Sequence, residues 1–339
     1  MGNSIRAYAA RAKGDPVELW DYDPGPLRPD QVEVAVQYCG VCHSDLSMLT
    51  NDWGMTAYPF VPGHEVVGTV SAIGDQVSTP QVGQRVGLGW YSASCRVCRQ
   101  CLSGDQNLCL SAEGTIVGRH GGFADRVRCQ GSWAVPLPAG LDPAKAGPLF
   151  CGGVTVFNPL VQFDVRPTDR VGVIGIGGLG HLALQFLRKW GCEVVAFTSS
   201  DGKREEAQKL GAHRVVISRD EKQLAALRGS FQLILSTVNA SMNWASYIDC
   251  LAPRGRLHTV GAVPEPIALP AFPLLVGQKS LSGSPLGSPV TTALMLDFCE
   301  RHGIAPVTEL FPLSKANEAL AHLAAGKARY RVVLQNDLN

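Results

Sequence analysis

The stretch RVGVIGIGGLGHLALQFLRKWGCEVVAFTSS, residues 170–200, decides the architecture. It opens with an apolar run of strand length and continues into the glycine turn GIGGLG (175–180). HLALQFLRKWG (181–191) then carries apolar residues at helical spacing and stops at Gly191, and EVVAFTSS (193–200) is a second, β-branched strand. Strand, turn, helix and strand in that order form a βαβ unit. The pattern repeats downstream. GKREEAQKLGA (202–212) reads as the next helix, and RVVIS, FQLILSTV and GRLHTVG read as further strands. Alternation of this kind predicts a doubly wound parallel sheet, an α/β domain over residues 153–289.

The glycine turn fits G-x-G-x-x-G and stands between a strand and a helix, where a nucleotide fingerprint must stand. Gly175 permits the tight turn, Gly177 lets the backbone approach a pyrophosphate, and Gly180 lets helix and strand pack closely. Gly178 and Leu179 complete the loop, and the helix behind it offers free N–H groups to phosphate. The tip of the second strand speaks to which dinucleotide is bound. An NAD site commonly ends that strand in Asp or Glu, for the ribose 2′-OH. Here Thr198 takes that place, followed by Ser199 and Ser200, with Lys203 and Arg204 just beyond. Hydroxyls and a cation without a carboxylate suit a 2′-phosphate, so NADP(H) is the expected cofactor. Asp201 lies past the strand tip, and Arg204 reads equally well as a solvent-facing helix residue.

Upstream the texture differs. VEVAVQYCG (32–40), EVVGTVSAIG (65–74) and RVGLGW (85–90) are short alternating runs cut by Gly and Pro, so residues 1–152 read as a β-rich domain. After residue 290 the helices TALMLDFCERHGI and SKANEALAHLAAGK, the latter with Ser314 as N-cap and Gly326 as stop, lead to a closing strand YRVVL. The chain is expected to return to the first domain over 290–339.

The segment CRVCRQCLSGDQNLC carries Cys95, Cys98, Cys101 and Cys109 with gaps of two, two and seven residues. Four thiolates so spaced can enclose one tetrahedral Zn²⁺ and leave no position open, which marks a structural rather than a catalytic site. Three more candidate ligands are dispersed: Cys42 in CGVCHSD, His64 in PGHE and Cys151 in LFCGG. Spacing alone does not bring them together. If they converge, Cys/His/Cys leaves zinc one open position, as a catalytic site needs. Glu65 beside His64 could join or leave the metal, and Asp45 could accept the imidazole N–H of His64 and fix its tautomer.

Composition narrows the classes further. A chain of 339 residues has room for about two domains. Lys+Arg 30 against Asp+Glu 29 provides no basic surface for nucleic acid. The N-terminal MGNSIRAYAARAKG lacks an apolar core for a signal peptide, and Arg6 stands where a myristoylation signal needs Ser or Thr. There is no uninterrupted apolar run long enough to span a membrane. A cytoplasmic protein with reduced thiols is expected. Six of its eleven cysteines then serve as ligands, and Cys39, Cys129, Cys192, Cys250 and Cys299 as small core residues.

GVCHSD (40–45), GHE (63–65), the four-cysteine lobe, LFCGGVTVF (149–157), GIGGLGH (175–181), TSSDGKREEA (198–207) and GKARYRVVL (326–334) lie along nearly the whole chain. In these motifs the sequence resembles the zinc-dependent medium-chain alcohol dehydrogenases, in particular their cinnamyl-alcohol-dehydrogenase-like branch. The resemblance implies a GroES-like catalytic domain, a Rossmann domain, and an active site in the cleft between them. By position it assigns Cys42, His64 and Cys151 to a catalytic zinc, with Glu65 as alternate ligand, and a second zinc to the lobe. Ser44 becomes the hydroxyl that relays the alcohol proton. His43 and Arg331 fall near the pyrophosphate, Thr155 near the nicotinamide, and Trp53 and Trp90 on the substrate pocket. A small-molecule alcohol or aldehyde substrate and a homodimer are expected.

There are two departures. Ser47 stands where many relatives end the relay with histidine, and SAEGTIVGRHGGFADRV (111–127) is shorter than usual in the branch. They leave open 1,4-reduction of a conjugated carbonyl or iminium on the same fold. A nucleotide-binding protein without catalysis is a further alternative.

Overall fold

The computed structural model describes residues 4–199 and 201–338. Ser200, one of the expected 2′-phosphate contacts, lies outside them. The chain divides into two compact units, Met1–Val154 with Gly287–Asn339, and Thr155–Leu286.

The second unit is built on six parallel strands. In spatial order they are Arg214–Ile217, Glu193–Thr198, Arg170–Ile174, Phe231–Ser236, Leu251–Thr259 and Ser280–Gly283. The sheet grows outward from Arg170–Ile174 in both directions, so the strand order reverses beside the glycine turn. This is the doubly wound arrangement the βαβ pattern predicts. Phe197, Phe231, Ile234 and Leu257 are buried in its core, each worth about 1.5–3 kcal/mol on full burial. The sixth strand, Ser280–Gly283, was not legible in the sequence. It is short, polar in part and half exposed at the sheet edge, so it has no apolar run to announce it.

The first unit holds a seven-stranded sheet organised around the long strand Gln31–Val41. That strand pairs antiparallel with Val66–Ile73 on one side and with the C-terminal strand Arg331–Gln335 on the other. The end of the chain thus closes the sheet begun near its start. Val34, Val66, Val86, Phe123 and Leu334 pack in the core beneath it.

One helix start differs from expectation. Ser314 does not cap the last helix, which runs Ala316–Ala324 behind a 3₁₀ turn Leu313–Lys315. The Ser314 hydroxyl instead donates to Asp337 at 2.5 Å, and that bond takes it away from the helix. Gly326 does end the helix, with φ +66°. Cys39, Cys129, Cys192, Cys250 and Cys299 are all buried free thiols. No helix among the described residues is long and apolar enough to cross a membrane.

Candidate active site and metal centres

Strand register assembles the first cluster. Val41 ends its strand, so Cys42 opens the helix His43–Leu49 as its N-cap. Cys39 lies opposite Val66, which sets His64 and Glu65 just past the paired region, and Gly40 N–H donates to the Glu65 carbonyl at 2.9 Å. On the other side Val332 lies opposite Val41, which brings Arg331 level with Cys42. Cys151 arrives from the turn Gly147–Phe150, which leads into the helix Gly152–Gln162. Its predecessor Phe150 is seated by the glycines of RVGLGW. A Cβ on Gly87 would stand 2.0 Å from the Phe150 ring, and one on Gly89 2.4 Å from its carbonyl oxygen.

Donor atoms of Cys42, His64, Glu65 and Cys151 consequently lie within 4.8 Å of one another. The two sulfurs are 4.0 Å apart, and His64 Nε2 is 3.3 Å from Cys151 Sγ. Asp45 supports the set from behind. It is fully buried and accepts from Cys42 N–H at 2.9 Å, Gly63 N–H at 2.8 Å and His64 Nδ1–H at 3.0 Å. That last bond fixes the tautomer and leaves Nε2 facing the sulfurs. Burial alone would push the imidazole down, but Asp45 and Cys42 more than offset it and lift its pKa well above the ordinary value. A hydrogen bond from Cys151, helped by His64 and Arg331, draws the Cys42 thiol well below its ordinary range despite burial.

Glu65 pairs with the guanidinium of Arg331, and both are buried. Burial raises the Glu65 pKa, and Arg331 offsets part of that rise. Glu65 Oε2 and Arg331 Nε remain buried without a hydrogen-bond partner. Sequence reasoning missed the Arg331 pairing. It also missed Gly40, where a Cβ would lie 2.0 Å from Glu65 Oε2. The glycine in CGVCHSD was the available signal, since a bare backbone there makes room for the carboxylate.

Ser44 Oγ is 3.7 Å from Cys42 Sγ. Ser47 lies one helical turn further on the same helix face. Trp90 meets His64 edge-on at 5.1 Å, and Trp53 meets Trp90 edge-on at 5.9 Å. His43 is exposed at the helix start, and Thr155 is buried at the beginning of the second unit.

The lobe brings Cys95, Cys98, Cys101 and Cys109 within the same 4.8 Å limit. Cys98 N–H donates to Cys95 Sγ at 3.3 Å and Cys101 N–H to Cys98 Sγ at 3.5 Å. The backbone N–H groups of Val97 and Cys98 pull the Cys95 thiol down to about 6, which favours the thiolate a metal requires. Both donor sets fit zinc: four sulfurs in the closed lobe, and two sulfurs, an oriented imidazole and a carboxylate in the other.

In the second unit the glycine turn has the geometry a dinucleotide needs. Gly175 has φ +87°, a conformation that favours glycine. A Cβ on Gly180 would lie 1.9 Å from the Gly175 carbonyl oxygen, whereas one on Gly177 would meet nothing within 4 Å. Gly177 therefore opens on free space, and Gly180 is packed tight. Gly178 and Leu179 lead into the helix Gly180–Trp190. Thr198 is buried at the strand end and Ser199 is exposed. Lys203 Nζ donates to the Ile176 carbonyl at 3.2 Å, which sets its charge beside the glycine turn. Arg204 is held by Asp201 and by the Val215 carbonyl, so the acid nearest the strand tip is already paired.

The chain is similar to known proteins along nearly its whole length. Residues 28–139 match the family model of the alcohol dehydrogenase GroES-like domain, and residues 178–301 that of the zinc-binding dehydrogenase. The chain is 57% identical to aldehyde reductase AdhA of Synechocystis sp., over 99% of this chain and 100% of that protein. Among solved structures it resembles the Sorghum bicolor cinnamyl alcohol dehydrogenase SbCAD4, with TM-score 0.93, 34% identity, and 98% and 97% of the two chains covered. It also resembles the Helicobacter pylori cinnamyl alcohol dehydrogenase complexed with NADP(H), with TM-score 0.90, 27% identity and 99% of each chain covered.

Proposed function

The chain belongs to the zinc-dependent medium-chain alcohol dehydrogenases, in their cinnamyl-alcohol-dehydrogenase-like branch, and we propose that it reduces aromatic or medium-chain aldehydes to primary alcohols with NADPH, reversibly. The observation that carries the proposal is the convergence of Cys42, His64 and Cys151, with Ser44 at the edge of the cluster. Zinc held by these ligands supplies Lewis acidity toward a carbonyl oxygen, and the dinucleotide supplies the hydride. The protein's own groups orient and move the proton. Asp45 keeps His64 turned toward the metal position, Ser44 passes the proton to or from the reacting oxygen, and Ser47 or a water continues the path. Because a serine hydroxyl is a poor base near neutral pH, that path is weaker than one ending in histidine. Glu65 serves as alternate ligand, with its free Oε2 in support. His43 and Arg331 serve the pyrophosphate and Thr155 the nicotinamide. Trp53 and Trp90 favour flat apolar substrates.

Thr198, Ser199, Ser200 and Lys203 take the 2′-phosphate. Support comes from Lys203 donating to the glycine turn and from Asp201 being paired with Arg204. Thr198→Asp is expected to lower the NADPH-to-NADH ratio of kcat/KM by about a hundredfold, on the order of 3 kcal/mol of charge repulsion. A parent enzyme that already uses NADH as well as NADPH would overturn the assignment.

The protein is further proposed to act as a cytoplasmic homodimer. The strand Ser280–Gly283 leaves an open sheet edge, and the adjoining helix Ala271–Gly277 leaves Phe272 74% and Leu275 72% exposed. Near-balanced charge supports the absence of a nucleic-acid partner.

Turnover of cinnamaldehyde with NADPH tests the whole reading. Cinnamyl alcohol is the expected product, and cinnamaldehyde should exceed acetaldehyde in kcat/KM. A saturated aldehyde as product would show the 1,4-reductase chemistry instead, and no turnover would point to a non-catalytic protein.

A further inference from the structure

The outer edge of the six-stranded sheet holds a polar network that the reaction above does not use. His258 is fully buried near the end of the strand Leu251–Thr259, in register with Ser282 of the strand Ser280–Gly283. Its Nδ1 is 2.9 Å from Ser282 Oγ, and its Nε2 is 2.9 Å from Ser284 Oγ. The ring packs edge-on against Phe163 at 5.0 Å, and the Arg256 guanidinium lies over Phe163 at 4.1 Å. Burial, and then Arg256, push the imidazole pKa down to about 4, so the ring stays neutral. A neutral imidazole has one donor and one acceptor. One serine hydroxyl must therefore accept while the other donates, and both ring nitrogens are satisfied.

Apolar groups of matching shape at these three positions would serve stability about as well. What the network adds is position. Residues 282 and 284 lie two apart along the chain, so one ring ties the same face of the chain twice as the strand ends. In a doubly wound sheet, ligands bind beyond the carboxyl ends of the strands, and each half of the sheet serves one mononucleotide. The first half, with the glycine turn, Thr198 and Lys203, suits the adenosine 2′-phosphate end. His258 belongs to the second half, one residue before its strand ends.

Resting on the NADPH-dependent reading above, we infer that His258 is a positioning residue for the nicotinamide half of the dinucleotide, acting through Ser282 and Ser284. The variants to compare are His258→Leu, His258→Gln and Ser284→Ala. Each is titrated with NADPH and with adenosine 2′,5′-bisphosphate, which lacks the nicotinamide half, and KM and kcat are measured alongside. His258→Leu should weaken NADPH about tenfold, the loss of roughly one well-placed hydrogen bond, and raise KM for NADPH. Binding of the bisphosphate should stay unchanged. His258→Gln keeps a donor and an acceptor on one planar group and should recover part of the loss. Equal weakening of both ligands, or of neither, overturns the inference. If His258→Leu fails to fold, Ser284→Ala decides in the same way: selective loss of NADPH affinity supports the tie, and unchanged affinity refutes it. An unaltered protein that binds neither ligand would instead overturn the parent reading, and the inference with it.

Discussion

Cys151→Ala is expected to lower kcat/KM for aldehyde reduction by at least about a thousandfold, roughly 4 kcal/mol of transition-state stabilisation. The lost sulfur lies 3.3 Å from His64 Nε2 and 4.0 Å from Cys42 Sγ, so its removal breaks the ligand set at its centre. Dinucleotide binding should survive, because the glycine turn and Lys203 belong to the other compact unit. The decisive comparison is therefore NADPH titration against turnover on the same preparation, with metal content measured on both proteins. Zinc should fall from about two per chain to about one. An alanine variant with near-normal activity would remove Cys151 from the chemistry altogether.

Cys101→Ala should have an equally large effect of another kind. Within residues 95–109 only Cys101, Asn107 and Cys109 are buried, while Val97, Leu102 and the adjoining Leu110 are 76%, 75% and 101% exposed. Apolar burial therefore contributes little to holding the segment 95–109 together, and the metal proposed among its four thiolates is expected to supply the rest. Structural zinc contributes folding free energy directly, on the order of 10 kcal/mol in small domains. Losing one ligand of four should cost several kcal/mol and lower Tm by about 10 °C or more. The variant that remains folded should keep kcat within about threefold, because the lobe has no open position for substrate. A fall in kcat without a fall in Tm would reverse the assignment of the two metal sites.

The legible part of this protein was the part written in local pattern. The glycine turn, its flanking strand and helix, and the closely spaced cysteines all depend on neighbours in sequence. They appear in the structure with the conformations their spacing requires. The dispersed ligands were legible only through resemblance, because Cys42, His64 and Cys151 meet through strand register and through Phe150 seated on Gly87 and Gly89. Nothing in the periodicity of any one segment encodes that meeting. The Glu65–Arg331 pair and the His258 network escaped for the same reason. Each joins residues on different strands or just beyond their ends, and no local pattern in either segment announces the pairing. Ser314 failed differently, since a correct local signal was outbid by a carboxylate twenty-three positions away.

The closing strand Arg331–Gln335 has a consequence for the order of events during synthesis. Arg331 meets Glu65 across a separation of 266 residues, and the sheet that carries both is incomplete until the last strand leaves the ribosome. The second compact unit, residues 155–286, is contiguous and of ordinary domain size, so it can fold while the first unit still waits. Contacts this distant in sequence form slowly, because the loop must close before the pairing rewards it. The second unit is thus expected to mature first, and the sheet that carries the Cys42, His64 and Cys151 cluster last.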